Sequence, residues 1–234
     1  MNILVTGASR GIGAAAYSLL KKHGQQVVGH STKGSAELVA GDLMDPKAPR
    51  AIWETTLAEL DGRVDVLVNN AGIYEGVADN ATDEEWHRAW MRTMTINLQA
   101  AADLSKLAVS HFLDLGIAGR IINVASRAAF RGDSPQHWHY AASKAALVGM
   151  TKTIARGYAG EGILCFGVAP GFTVSEMTAE YLQGRGGAQI IADIPLGRVA
   201  STDEVAEVIR WLSTEAPASA TGSVIDVNGA SYVR

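Results

Sequence analysis

Tyr140 and Lys144 stand four positions apart in the run Tyr140-Ala141-Ala142-Ser143-Lys144. On a helix that spacing puts a phenol and an ammonium on one face, one turn apart. Ser126 lies upstream, at the end of the apolar run Ile121-Ile122-Asn123-Val124-Ala125. A hydroxyl at a strand end, a phenol and a lysine can converge on one carbonyl oxygen, which is the geometry needed to deliver a proton there. A bare Tyr-x-x-x-Lys arises by chance in many chains, so the pair acquires meaning only from its company.

The elements that must position these groups begin at the N-terminus. Asn2-Ile3-Leu4-Val5-Thr6 is a short apolar run ending at glycine, as a buried parallel strand does. Gly7, Gly11 and Gly13 follow, then an alanine- and leucine-rich stretch from Ala14 to His23 closed by Gly24. Strand, glycine turn and helix form the context in which backbone N–H groups hold a pyrophosphate. A mere tight turn explains the three glycines poorly, because they fall where side chains would block a phosphate.

Further strands are expected at Gln25 to His30, Glu37 to Ala40, Val64 to Val68, Arg120 to Ala125, Leu164 to Ala169 and Val224 to Val227. Helices are expected at Pro46 to Leu60, from Thr82 through Trp86, Trp90 and Asn97 to Phe112, at Tyr140 to Tyr158, and at Thr202 to Ser213. Thr82 with Glu85, and Ser201 or Thr202 with Glu204, read as helix starts. Arg131 to His139, containing Pro135, reads as a loop, and Pro170-Gly171 as a sharp strand end. Such alternation predicts an α/β fold, a doubly wound parallel sheet of about seven strands in a single domain. Only about seven residues separate the second and third strands. A parallel crossover normally uses a helix, so a short loop is expected in its place.

Taken in order, Thr6-Gly7-Ala8-Ser9-Arg10-Gly11-Ile12-Gly13, Asn69-Asn70-Ala71-Gly72, Asn97, Ser126, Tyr140, Lys144 and Pro170-Gly171 resemble the short-chain dehydrogenase/reductase family. The resemblance runs over about residues 1 to 229. It implies a Rossmann-like fold and hydride transfer between a nicotinamide and a carbonyl or alcohol. Asn97, Ser126, Tyr140 and Lys144 are then the implied catalytic residues, with Ser126, Arg127 and Tyr140 on the substrate. The implied cofactor residues begin with Gly7, Ser9, Arg10, Gly11, Ile12 and Gly13 in the first turn. His30, Ser31, Thr32 and Lys33 follow on the second strand, then Asp42 and Leu43 near the adenine, and Asn70, Ala71 and Gly72 beneath the cofactor. Tyr140, Lys144, Pro170, Gly171, Thr173 and Ser175 complete the set toward the nicotinamide. Asp42 reads equally as a helix cap. Asn97 in a helical pattern implies, by resemblance, a local distortion whose carbonyl holds a water on the proton path.

Several positions depart from the family pattern. Family members that prefer NAD typically carry an acid at the end of the second strand, and His30-Ser31-Thr32-Lys33 has none. Hydroxyls with Lys33, helped by Arg10, suit a 2′-phosphate, so NADP is favoured over NAD. Tyr140 comes fourteen positions after Ser126, one more than is usual, and the loop between them can absorb the residue. Phe166 stands where the family often has asparagine. Residues 172–200 resemble the family's substrate lid. Arg127, Arg131, His137 and His139 would make one pocket wall polar and cationic, suiting a polar or anionic carbonyl compound (3-oxoacyl or sugar-like). They also read as solvated loop residues.

For Tyr140 to act as acid in reduction and base in oxidation, its proton must be mobile, and a free phenol titrates near 10. Lowering it by two or three units takes about 3–4 kcal/mol, which an ammonium about 4 Å away can supply. The expectation is that Lys144 does so. The competing class is a dinucleotide-binding regulator without turnover; such relatives usually lose the Tyr, Lys or Ser, and all three are present.

Composition sets outer bounds. At 234 residues, 47% apolar and 19% charged, the chain reads as globular, and its net charge of -4 argues against a nucleic-acid partner. The single cysteine, Cys165, lies in an apolar strand and reads as a buried structural thiol, with no metal-type spacing around it. No apolar run approaches membrane-spanning length, and a strand beginning near Asn2 leaves no room for a leader, so a cytoplasmic location is expected. Surplus small and apolar residues on the two central helices (Ala100, Ala101, Leu104, Leu107 and Ala108; Ala141, Ala145, Ala146, Val148 and Met150) suggest a homodimer or homotetramer.

Overall fold

Seven strands form one sheet: β1 (Asn2–Val5), β2 (Gln26–Ser31), β3 (Leu38–Ala40), β4 (Val66–Asn69), β5 (Arg120–Val124), β6 (Leu164–Pro170) and β7 (Val224–Val227). Their order is β3-β2-β1-β4-β5-β6-β7 and every neighbouring pair is parallel. The computed structural model describes residues 1–173 and 187–234.

Continuous apolar strands follow from burial on both faces. In β1, Leu4 packs on one side with Ile52 of α2 (Ala48–Glu59) and with Leu104 and Phe112 of α4 (Ala100–Leu115). Ile3 and Val5 point the other way, to Ala16 and Leu20 of α1 (Gly11–Lys22) and to Val205, Ile209 and Leu212 of the helix Thr202–Thr214. The same alternation recurs in β4, where Leu67 faces the first layer and Val66 and Val68 the second. Chain order reverses between β1 and β4, so a crevice opens at the carboxyl ends of these strands.

The crossover between β2 and β3 contains no helix. Ser31 O accepts from Gly34 N at 3.3 Å and from Gly41 N at 3.1 Å, and Ser35 and Leu38 bridge the tight turn. A short loop is what the chain length allows, as expected. Both expected helix starts form, each as a capping box: Thr82 with Glu85 at the start of α3 (Asp83–Met94), and Ser201, rather than Thr202, with Glu204 at Thr202–Thr214. Each contributes about 1 kcal/mol.

Several boundaries differ from expectation for local reasons. Helix α2 starts at Ala48, with Pro49 in its first turn and no side-chain cap. Asp42 therefore does not cap it; its Oδ1 accepts from Met44 N at 3.0 Å and closes a turn. Residues Ala128–Arg131 form a single helical turn, α5, and α6 (Trp138–Tyr158) begins two residues before Tyr140, so the intervening loop is shorter than expected. Strand β6 runs through Pro170, whose carbonyl accepts from Arg127 N at 2.9 Å. Phe166 is fully buried in the second apolar layer, which accounts for an aromatic ring at a position where a polar group is common. Cys165 is fully buried and free, and burial pushes its thiol up to about 12.

Candidate active site

One cavity of about 1230 Å³ runs along the carboxyl ends of the strands. The glycine turn forms one end. Thr6 Oγ1 accepts from Asn70 N and Ala71 N, both at 3.0 Å, while Asn70 Nδ2 donates to Thr6 O at 2.9 Å and Gly7 O at 3.1 Å. The two segments are thus laced together under the cavity floor. A Cβ at Gly13 would lie 2.1 Å from Gly7 O, and one at Gly7, where φ is 67°, 2.8 Å from Ala71 Cα. Backbone therefore packs where any side chain would intrude. The start of α1 has neither a side-chain cap nor an acid in its first turn. Its amides and the positive end of the helix dipole suit an anionic ligand at the cavity wall.

Gly7, Ser9, Arg10, Ile12 and Gly13 all line the cavity, as do His30, Ser31, Thr32, Asp42, Leu43, Asn70, Ala71 and Gly72. Gly11 and the exposed Lys33 do not. His30 is buried and already engaged: its Nδ1 accepts from Gly7 N at 3.4 Å, which leaves Nε2–H to donate to Gly41 O at 2.9 Å. Burial lowers its pKa, so it stays neutral and ties the glycine turn to the end of β3. The cationic contribution at this end comes from Arg10.

At the other end β5 delivers Ser126 and α6 delivers Tyr140 and Lys144, and all three line the cavity. Lys144 is buried, its Nζ donating to Val124 O at 2.8 Å and standing 5.8 Å from the centre of the Tyr140 ring. Burial lowers Lys144 to about 8. Burial pushes the Tyr140 phenol up to about 12, and a hydrogen bond with Ser126 opposes the rise. This reverses the direction expected from sequence. Desolvation of the phenolate dominates, and the ammonium is anchored on the Val124 carbonyl. The protonated phenol is the favoured form, which suits an acid giving its proton to a carbonyl oxygen.

Asn97 lies in a single π-helical turn, Thr95–Gln99, between α3 and α4. The expected distortion is present. The buried Asn97 side chain bridges elements: Oδ1 accepts from Ile73 N at 2.8 Å, and Nδ2 donates to Ile73 O at 3.0 Å and Ser143 Oγ at 3.3 Å. Val124, Ala125, Pro170, Gly171 and Thr173 complete this end of the cavity, and Ser175 lies outside the described residues.

A profile of the short chain dehydrogenase family matches residues 1–186. The chain belongs to that family. It is 36% identical over 98% of its length to the 3-oxoacyl-(acyl-carrier-protein) reductase FabG of Escherichia coli strain K12, covering 96% of that protein. The reductase of the same name from Pseudomonas aeruginosa is 35% identical over the same share of each chain. A short chain dehydrogenase from Burkholderia cenocepacia solved in complex with NADP superposes with a TM-score of 0.88 at 29% identity, over 98% of this chain and 97% of that one. A putative NAD(P)-dependent gluconate 5-dehydrogenase from Beutenbergia cavernae gives 0.85 at 34% identity, over 97% and 94%. The chain is therefore an NAD(P)-dependent oxidoreductase acting on carbonyl or alcohol groups.

In this short-chain dehydrogenase, sequence reasoning left much of the substrate end unresolved. Tyr74 stacks on His137 at 3.9 Å, meets the Tyr140 ring edge-on at 4.8 Å, and donates from its hydroxyl to Asp133 Oδ1 at 3.0 Å. Arg127 and Arg131 line the cavity as expected, but His137 and His139 do not; both are buried behind it, and burial lowers their pKa values. Asp193, beyond the described helix Gly187–Ala192, pairs with Arg131 at 2.5 Å. The wall is thus not simply cationic. No periodicity or motif marks Asp193, because only the fold carries it back over α5.

Proposed function

We propose that this dehydrogenase uses NADPH to reduce a polar aldehyde or ketone, with Tyr140 as the proton donor. The observation that carries the reading is one continuous cavity joining the acid-free glycine turn and β2 end to Ser126, Tyr140 and Lys144. Arg10, Ser31 and Thr32 would hold a 2′-phosphate, and the start of α1 the pyrophosphate. Lys144 and Tyr140 would take the nicotinamide ribose, and Thr173 the carboxamide side. NADPH supplies the hydride when bound. Ser126 orients the substrate oxygen and Tyr140 gives it a proton from a phenol that burial keeps protonated. Lys144 carries positive charge below about pH 8 and stabilises the phenolate left behind. Asn97 fixes the π-turn beside Ser143, and thereby the line along which Lys144 is reprotonated.

The bacterial relatives named for 3-oxoacyl reduction, together with the NADP-bound neighbours, support a 3-oxoacyl or sugar-like carbonyl. Of the stretch 172–200 expected as a substrate lid, Phe172, Gln189, Ile190 and Asp193 stand on the cavity wall, and 174–186 lie outside the described residues. The assay is loss of nicotinamide absorbance from NADPH over a panel of polar aldehydes and ketones. Turnover with NADPH ahead of NADH is expected. Tight NADPH binding with no turnover on any carbonyl would favour a regulator.

Self-association through α3 and α6 is the companion proposal. The core absorbs Ala100, Ala101, Leu104 and Ala108, so α4 contributes less surplus than its sequence suggests. Met91 on α3 and Trp138 and Ala145 on α6 are instead the exposed apolar residues of these two helices. Among the described residues no helix is long and apolar enough to cross a membrane.

A further inference from the structure

The substrate end holds two arginines in different states. Arg131 is satisfied: Nη1 contacts Asp193 Oδ2 at 2.5 Å and donates to Ser231 O at 3.2 Å. Arg127 is not. Its side chain is only 13% exposed, and its Nη1 is buried with no hydrogen-bond partner among the described residues. Asp193 Oδ2 stands 3.9 Å from that nitrogen, beyond hydrogen-bond reach, and already serves Arg131.

Arg127 is nevertheless held in place. Its backbone N donates to Pro170 O at 2.9 Å, and its guanidinium lies 4.9 Å from the centre of the Phe172 ring. The residue follows Ser126 directly, and both face the one cavity. Asp133, the other nearby acid, accepts from Tyr74 Oη and Ser134 N through the same oxygen. A buried guanidinium with an unmet donor is costly unless an anion completes it, and planar guanidinium geometry matches a carboxylate.

We infer that Arg127 binds a carboxylate on the substrate itself, so that the preferred substrate is a short oxo acid whose acid group lies a few bonds from the reacting carbonyl. This rests on the carbonyl-reductase reading and specifies its substrate class. Within the 3-oxoacyl and sugar-like carbonyl compounds, it selects those that carry a free carboxylate. A carboxylate in the cavity would supply the counter-charge that Arg127 lacks, while Arg131, on the same wall, is already neutralised by Asp193. Burial lowers the pKa of Arg127, a direction consistent with a cation that lacks a full counter-charge.

The test pairs pyruvate, acetoacetate and levulinate with their methyl esters on the NADPH-loaded enzyme. At least one acid should exceed its ester in kcat/KM by about 100-fold, the scale of a buried charge pair. In Arg127→Gln that acid-to-ester ratio should collapse toward unity, and Arg127→Lys should restore part of it. Equal handling of acids and esters, or a ratio unchanged in Arg127→Gln, overturns the inference while leaving carbonyl reduction standing. Binding is read separately, by change in the fluorescence of bound NADPH. If no compound is reduced, saturable binding of acids but not esters, abolished in Arg127→Gln, still supports the carboxylate site and counts against the catalytic reading. Absence of such binding overturns the site.

Discussion

Lys144→Met probes whether the site holds a buried, thermodynamically uncomfortable ammonium. Burial lowers the folded pKa from 10.5 to about 8, a displacement equivalent to about 3 kcal/mol. The unfolded chain keeps that proton up to its own pKa, so between about pH 8 and 10.5 the unfolded state binds more protons. Stability therefore rises with pH through that window, and this lysine contributes about 1 kcal/mol of the rise between pH 7 and 9. Two other groups act in the opposite sense. Burial raises Cys165 from 9.0 and Tyr140 from 10.0, each to about 12, so their contributions fall as pH rises from the lower value to the higher. Comparing protein with variant at each pH removes those terms to first approximation. Urea unfolding of the nucleotide-free protein at pH 7 and 9 should show the unmodified chain gaining about 1 kcal/mol relative to Lys144→Met, with similar m values. Parallel pH dependence in the two proteins would show that Lys144 is solvated like an ordinary surface lysine, and the electrostatic account of the site would fail.

Arg10→Ala should weaken NADPH far more than NADH, because only NADPH carries the 2′-phosphate; fluorescence titration with both nucleotides measures it, and equal losses would remove Arg10 from that role. Lys33→Glu should matter less, since Lys33 lies off the cavity wall. Sedimentation at micromolar concentration should show at least a dimer, and Trp138→Glu should shift it toward monomer. A fully active 24.6 kDa species would assign the exposed apolar face another role.

The fold was legible because its signals are local and repeated. Apolar runs in β1, β4, β5 and β6 separated by helical stretches leave few alternatives to a doubly wound parallel sheet, and the few residues between β2 and β3 excluded a crossover helix there. Cavity residues from Gly7 to Gly13 and at Asn70 to Gly72 were legible because glycine and asparagine at fixed spacing answer backbone requirements. Charge and environment were less so. The pKa direction of Tyr140 depends on how completely distant elements enclose it, which no spacing encodes. His30 lines the cavity, but the engagement of its two ring nitrogens by Gly7 and Gly41 is not encoded in any local spacing. Asp193 reaches Arg131 across 62 positions of chain, so its effect on the arginine wall is invisible to any local reading.

Tyr140 is the proposed proton donor, and its hydroxyl can be removed without its ring. Tyr140→Phe keeps the ring that meets Tyr74 edge-on and deletes only the hydroxyl. Single-turnover oxidation of bound NADPH by a reducible carbonyl substrate, with NADPH affinity measured in parallel, isolates that step. The rate should fall by about 10²–10⁴-fold, the usual contribution of a positioned proton donor, while affinity changes by no more than a few-fold. Turnover at the unmodified rate would contradict the assignment.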